Sequence, residues 1–165
     1  MPFDGAEQYV LQNKEDVISL LAEFVLTDTI LFWSADEDLE LLQQKKWQPI
    51  IDFANNEIGL NLQKTYEITP SSENEFCREA FKNYTRTLYL NELTALYLAA
   101  TELKSVLLAV ALIKGKISAM EAFNRAFLEE FYQNERWGTD KEAENKREQI
   151  KEKMLKIEGY IQENG

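Results

Sequence analysis

Between Leu93 and Ile113 the chain carries only two charges, Glu102 and Lys104, which divide the stretch into two uncharged runs of nine residues each. A membrane-spanning helix needs about 20 apolar residues with few or no charges. The stretch therefore predicts a helix buried in a protein core. Asn91 is placed to cap it and Gly115 to end it. About 23 residues at about 1.5 Å each give about 34 Å, enough to cross a whole domain. The full chain of 165 residues has the size of one ordinary domain, with this helix at its centre.

Around it the helix signals repeat. Asn13 can cap a helix carrying Val17, Leu20, Leu21 and Phe24 at helical spacing, broken at Thr27-Asp28-Thr29. Ile30-Leu31-Phe32-Trp33 is too short for a helix and predicts a brief strand. Ser34 with Glu37 has the form of a capping box, and the helix it opens carries Leu39, Leu42 and Trp47. Pro49 predicts a kink or a fresh start near Trp47-Gln48-Pro49. Ile50, Ile51, Phe53, Ala54 and Ile58 continue the apolar face to Gly59, a terminator suited to the left-handed conformation. Leu60, Leu62, Tyr66 and Ile68 alternate as a strand would, with Lys64 out of place, and Thr69-Pro70-Ser71 makes a turn.

Three further capping boxes pair Ser72 with Glu75, Ser118 with Glu121 and Thr139 with Glu142. The first opens a helix with Phe76, Ala80, Phe81 and Tyr84 on one face. The second opens one holding Phe123, Phe127 and Phe131 and ending at Gly138. The third opens a charged last helix whose narrow apolar seam is Ala143, Ile150, Met154, Ile157 and Ile161, interrupted by Arg147. The expected fold class is mainly α, with six to seven helices and two or three short β-strands around a long buried central helix.

Composition excludes several chemistries. Eighteen Lys and Arg against 29 Asp and Glu leave a net charge of −11. Such a chain repels phosphate and gains nothing from an anionic membrane surface. The absence of His removes the usual general base, the Ser-His and Cys-His pairs and the commonest metal ligand. Cys77 stands alone, so no internal disulfide or Cys cluster can form. The six glycines show no phosphate-cradle spacing. Met1 to Asn13 has no basic region followed by an apolar run, and so no secretory signal is read there. The chain is expected to use no cofactor or metal, to bind no nucleic acid and to insert in no membrane.

Two clusters of acids remain. Asp36, Glu37, Asp38 and Glu40 fall at the start of a helix, where its dipole favours negative charge. Glu129 and Glu130 are less easily placed. With Phe123 at zero on a helical wheel, Phe127 and Phe131 fall at about 40° and 80° and Glu130 at about 340°, inside the apolar stripe. Glu129 falls at about 240°, on its shoulder beside Gln133. An acid on an apolar face costs stability unless it is paired or reaches a wet groove. Two readings stay open: an ion pair with a Lys or Arg, and a carboxylate presented to a partner. Trp33, Trp47 and Trp137 are likewise either core or contact residues.

The segment from Leu128 to Gly138 follows a pattern: Leu, an acid, two variable residues, an aromatic, Gln, three variable residues, then Trp-Gly. Leu128, Glu129, Tyr132, Gln133, Trp137 and Gly138 fill it completely. Together with Leu103-Lys104-Ser105 in the long helix and Trp47-Gln48-Pro49 upstream, it resembles the family of assembly chaperones for the α subunit of ATP synthase, which occurs in mitochondria and alphaproteobacteria. The resemblance runs from about Asp28 to the last helix. The chain departs from the family at Gln48, where an Asp is usual. Family members also normally begin with a small β-rich domain, and this chain starts about where their helical domain starts. The resemblance implies that residues 1–165 form a single helical chaperone domain, with the β-rich domain absent.

It further implies a non-enzymatic protein that binds the free α subunit and prevents its aggregation before it joins β. The family's functional acid falls on Glu129. Glu130 joins it from the wheel, and Gln133, Trp137 and Lys104 complete the expected partner-binding set. The protein is expected to be a monomer when free. Its expected compartment is the cytoplasm if bacterial, which the short charged tail favours, or the mitochondrial matrix if eukaryotic. A different class also fits the residues: a helical adaptor for another partner, or a module for a small apolar ligand. If the central helix is buried, Leu107→Ala or Leu108→Ala lowers stability by about 2–5 kcal/mol, read from urea unfolding.

Overall fold

The computed structural model describes residues 3–67 and 74–164. Among these residues ten α-helices and one 3-10 turn follow one another. They are α1 (Asp4–Gln12), α2 (Lys14–Leu26), the 3-10 turn (Thr29–Leu31), α3 (Glu37–Lys46), α4 (Gln48–Ile58) and α5 (Glu75–Arg86). Then come α6 (Leu90–Leu103), α7 (Val106–Ile113), α8 (Ala119–Ala126), α9 (Leu128–Trp137) and α10 (Lys141–Asn164). The mainly helical class is as expected, but the helix count is higher and the strands are nearly gone.

The extra helices have identifiable causes. Ahead of Asn13 the chain forms α1, which the Asn13 side-chain amide ends by donating to the Tyr9 carbonyl at 2.9 Å. Asn13 therefore precedes α2 without capping it through its side chain. The expected fresh start at Trp47-Gln48-Pro49 separates α3 from α4, with Pro49 in the first turn of α4. Gly59 ends α4 at φ 82°, in the left-handed region that glycine tolerates best. The expected long central helix is two helices, broken at Lys104 and Ser105. The expected helix through Phe131 is also two, broken at Phe127.

The strands fail because side chains satisfy the backbone that a neighbouring strand would have paired. Ile30-Leu31 enters the 3-10 turn, started by the Asp28 carboxylate accepting the Ile30 N–H at 3.1 Å. After Leu60, the Asn55 side chain donates to the Leu62 carbonyl at 2.9 Å and accepts its N–H at 3.0 Å. What survives among the described residues is one parallel bridge between Phe32 and Thr65. Ile68, the Thr69-Pro70-Ser71 turn and Ser72 lie outside the described residues.

The caps shift in the same way. Asp36, not Ser34, caps α3 by accepting the N–H groups of Asp38 and Leu39. Asn74 caps α5 through the Cys77 N–H. α6 starts after Tyr89, whose N–H goes to Glu92, rather than at Asn91. Asp140, not Thr139, accepts the Glu142 N–H at the start of α10. The Ser118–Glu121 box forms as expected, with both reciprocal bonds at 3.1 Å.

α7 is the centre of the core: all eight of its residues are buried. α4 and α2 pack on it, α6 folds back against it, and α10 runs across α6 and α8. The seam of α10 buries Met154, Ile157 and Tyr160, and it also buries Arg147. On α5 the buried face is Cys77, Phe81 and Thr85, leaving the expected Phe76 outside. No helix among the described residues is long and apolar enough to cross a membrane.

The break between α6 and α7 is built on Asp28. Lys104 takes φ 56°, a strained left-handed conformation for a residue with a side chain. Ser105 then caps α7, its Oγ accepting the Leu108 N–H at 3.1 Å and donating to Asp28 at 2.7 Å. The other Asp28 oxygen accepts the Leu107 N–H at 2.9 Å. Asp28 is wholly buried, and burial pushes its carboxyl up to about 6 although the Leu107, Ser105 and Ile30 donors oppose the shift. The folded value lies above the unfolded one, so the native state holds the extra proton between about pH 4 and 6. The group's contribution to stability is complete below that window and lost as pH rises through about 6. Wild type is therefore expected to lose stability relative to Asp28→Asn, on the order of 1–3 kcal/mol, as pH rises from about 4 to 7. Paired urea titrations across that range measure the difference, in which the other carboxylates cancel.

Candidate functional site

The Leu128–Gly138 motif is helix α9, and its placement begins with Trp47. Trp47 is wholly buried, and its indole N–H donates to the Arg125 carbonyl at 2.7 Å. In an uninterrupted helix that carbonyl would accept the Glu129 N–H, four residues on. The break at Phe127 and the Trp47 bond therefore occur together and set the direction in which α9 leaves α8. Phe123 packs against Phe127 and Phe131 with ring centroids 5.1 and 5.9 Å apart, anchoring the underside. At the outer side the Tyr132 hydroxyl donates to Asp36 at 3.0 Å and Arg136 donates to Asp38 at 3.2 Å. Asp36 is held below the usual carboxylate range first by the Leu39 N–H and then by Tyr132. Part of the acidic cluster thus caps α3 and also docks α9 alongside it.

Glu129 lies where α9 meets α3. It is half-buried, and burial pushes its carboxyl up, opposed by a hydrogen bond from Gln43. That bond runs from the Gln43 amide nitrogen to Glu129 Oε1 at 2.8 Å. The Gln43 amide oxygen in turn accepts the Ser34 N–H at 2.9 Å. No cation among the described residues forms an ion pair with Glu129. The carboxylate borders a groove of about 530 Å3 whose walls include Phe32, Trp33, Thr29, Tyr66 and Gln133. Trp33 is fixed by its indole N–H donating to the Ile30 carbonyl at 2.8 Å and is covered on one face by Lys64, 4.1 Å away.

The expected site residues divide accordingly. Glu129 and Gln133, one turn apart on α9, share the groove. Lys104 is exposed at the α6–α7 break, and its carbonyl accepts the Thr29 hydroxyl at 2.6 Å, tying that break to the groove wall. Trp137 stands at the far end of α9, 82% exposed, about 12 Å along the helix from Glu129. Of the three Trp residues, then, two are core and one faces solvent. Glu130 points the other way: it pairs with Arg147 of α10 at 3.0 Å, and the guanidinium also lies 5.5 Å from the Phe131 ring. The open choice for Glu130 thus resolves to an ion pair that lets Arg147 interrupt the α10 seam.

Sequence reasoning missed Gln43. The signal was available: Leu39, Gln43 and Trp47 follow at four-residue spacing, and all three are buried, while Leu42 reaches the surface. A Gln in the middle of a buried stripe indicates a side chain bonded to something specific. Among the described residues no three His, Cys, Asp or Glu side chains are placed to hold a metal ion.

Comparison with known proteins places the fold in a class. No protein-family model matches the sequence. The structure superposes on the crystal structure of Atp12 from Paracoccus denitrificans with a TM-score of 0.90 and 28% identity, covering 96% of this chain and 69% of that one. The chain is also 28% identical over 155 residues to the mitochondrial protein atp12 of Schizosaccharomyces pombe, covering 89% of this chain and 53% of the relative. It thus spans about half the length of that relative. The Atu1473 protein of Agrobacterium tumefaciens shares the fold, at a TM-score of 0.83 and 24% identity over 96% of this chain and 59% of that one. The first two likenesses support the Atp12 family.

The two adjacent acids are expected to behave oppositely. Glu130→Ala strands the buried Arg147 and costs about 1–2 kcal/mol. Glu129→Gln removes an uncompensated half-buried charge and leaves stability within about 0.5 kcal/mol of wild type or above it. Urea unfolding followed by circular dichroism distinguishes the two.

Proposed function

We propose that this chain is an assembly chaperone for ATP synthase, binding the free α subunit and keeping it from aggregating before it joins β. The likeness to Atp12 in sequence and fold supports the class. One observation carries the site: a half-buried carboxylate, Glu129, with no cation paired to it among the described residues, borders a groove with aromatic walls. Trp47 sets the start of α9, the Lys104 carbonyl holds Thr29 on the groove wall, and α9 itself supplies Glu129 and Gln133.

An unassembled subunit exposes apolar interface, which invites aggregation. A groove walled by Phe32 and Tyr66 offers apolar cover to one such segment. Glu129 and Gln133 set register by polar pairing, which gives specificity more than raw affinity. Trp137 extends the contact along α9, and Lys104 flanks it. Glu130 would have to release Arg147 to take part. The net charge of −11 keeps the chaperone soluble while it displays apolar surface. Nothing in this action makes or breaks a covalent bond, so the role is non-enzymatic. The compartment follows the source: cytoplasm in a bacterium, matrix in a mitochondrion. The rival role in small-ligand binding finds little support. An apolar pocket lined by Phe3, Leu98 and Ile157 holds about 240 Å3, whereas pockets for drug-sized ligands begin at about 300 Å3.

The decisive experiment is co-purification of the chain with free ATP synthase α subunit, with β as the control. Retention of α and not β is expected at micromolar concentrations. Glu129→Lys is expected to keep the wild-type circular dichroism spectrum and to weaken retention of α at least about tenfold, since it reverses the charge offered at the contact. Unchanged retention removes Glu129 from the site.

A further inference from the structure

We infer that Gln43 is a positioning residue whose buried side chain, locked by the Ser34 backbone, holds Glu129 as an outward-facing carboxylate for a cationic side chain of the client. The inference rests on the assembly-chaperone reading of the groove and adds the chemistry of what Glu129 receives. Gln43 is wholly buried. An amide side chain could present either its oxygen or its nitrogen to Glu129, and the two choices have opposite effects. The Ser34 N–H can only donate, so it takes the amide oxygen, at 2.9 Å. The amide nitrogen is then forced toward Glu129, where it donates at 2.8 Å to Oε1.

A donor aimed at one oxygen favours the charged form of the carboxyl against its own burial. Oε2 makes no hydrogen bond or ion pair among the described residues and is left for the client. The other charges near the groove are already committed or point away. From α3, Asp36 is taken up by the Tyr132 hydroxyl and the α3 N-terminus, Asp38 by Arg136, and Glu40 by the Tyr66 hydroxyl. From the segment before the undescribed residues, Lys64 sits on the Trp33 ring, and Glu67 adds a second acid to the groove lining. From α8, one Arg125 guanidinium nitrogen is 3.9 Å from Glu121 and the other terminal nitrogen is buried without a hydrogen-bond partner among the described residues, neither forming an ion pair with Glu129. The groove thus offers one directed carboxylate backed by another acid and by the Phe32 and Tyr66 rings, the Trp33 face being covered by Lys64. A guanidinium matches that set, because it is flat, donates in pairs to carboxylate oxygens and stacks on rings.

The test uses the full chain with Gln43→Met, which keeps length and removes both polar atoms, and Gln43→Asn, which keeps the amide and shortens its reach. Carboxyl carbon NMR titration follows Glu129, assigned by its disappearance in Glu129→Gln. The midpoint of Glu129 is expected to rise by about half a pH unit or more in both Gln43 variants. Retention of α subunit is expected to fall about tenfold in Gln43→Met, and Gln43→Met added to Glu129→Gln is expected to change it no more than about twofold, because the two residues act as one unit. An unmoved Glu129 midpoint, or an equal loss from Gln43→Met with and without the Glu129 carboxylate, overturns the inference. A midpoint that moves in the Gln43 variants, together with a wild-type chain that retains no α subunit, upholds the Gln43–Glu129 coupling and defeats the chaperone reading instead.

Discussion

The buried carboxylate of Asp28 is the joint on which the helical core turns. Its two oxygens answer for Ile30, Ser105 and Leu107, so one side chain starts the 3-10 turn and caps α7. Without such a partner the first N–H groups of α7 would be unpaired in the most apolar part of the protein, where each costs a substantial fraction of the total stability. The break it supports lets α6 and α7 fold back on one another in place of one long rod. It also brings the Lys104 carbonyl to Thr29, and thereby ties the core to the wall of the proposed client groove.

The groove has a consistent physical logic. The frame behind it is well fixed: Trp33 in its wall and Trp47 in the core beneath α8 are buried, and each spends its single N–H on a backbone carbonyl. Its working helix, α9, contains no buried residue at all. That helix is held by a ring cluster below and by Tyr132 and Arg136 at its side. A rigid frame carrying a largely solvated helix can present Glu129 in one geometry while leaving area free for a partner. Trp137, 82% exposed at the end of the same helix, continues that surface.

Much of this was legible in the sequence, and the failures are instructive. The apolar run from Leu93 to Ile113 announced a buried centre, but its two charges also marked the break, since the uncharged runs end close to where the helices do. The motif at Leu128–Gly138 coincides with α9, the helix that carries Glu129. A wheel drawn straight through Phe127 set the two acids about 100° apart but could not tell which had a cationic partner, because the helix is interrupted there and α9 takes its own direction. Gln43 and Arg147 both looked like flaws in apolar stripes, and each proved to be the partner of one of those acids. The strand expectation failed because alternation is blind to Asn55, which supplies from its side chain the bonds a neighbouring strand would have given Leu62.

The sequence by itself determined that the chain is mainly helical and where most of its apolar faces lie, because these follow from residue spacing and local caps. Only the tertiary structure decided that Glu129 faces a groove while Glu130 faces Arg147, that Asp28 caps a helix 79 residues away, and that Trp47 takes the carbonyl of Arg125. Each of those depends on groups far apart in the chain competing for the same hydrogen bonds once water is excluded, and no local pattern records the outcome of that competition.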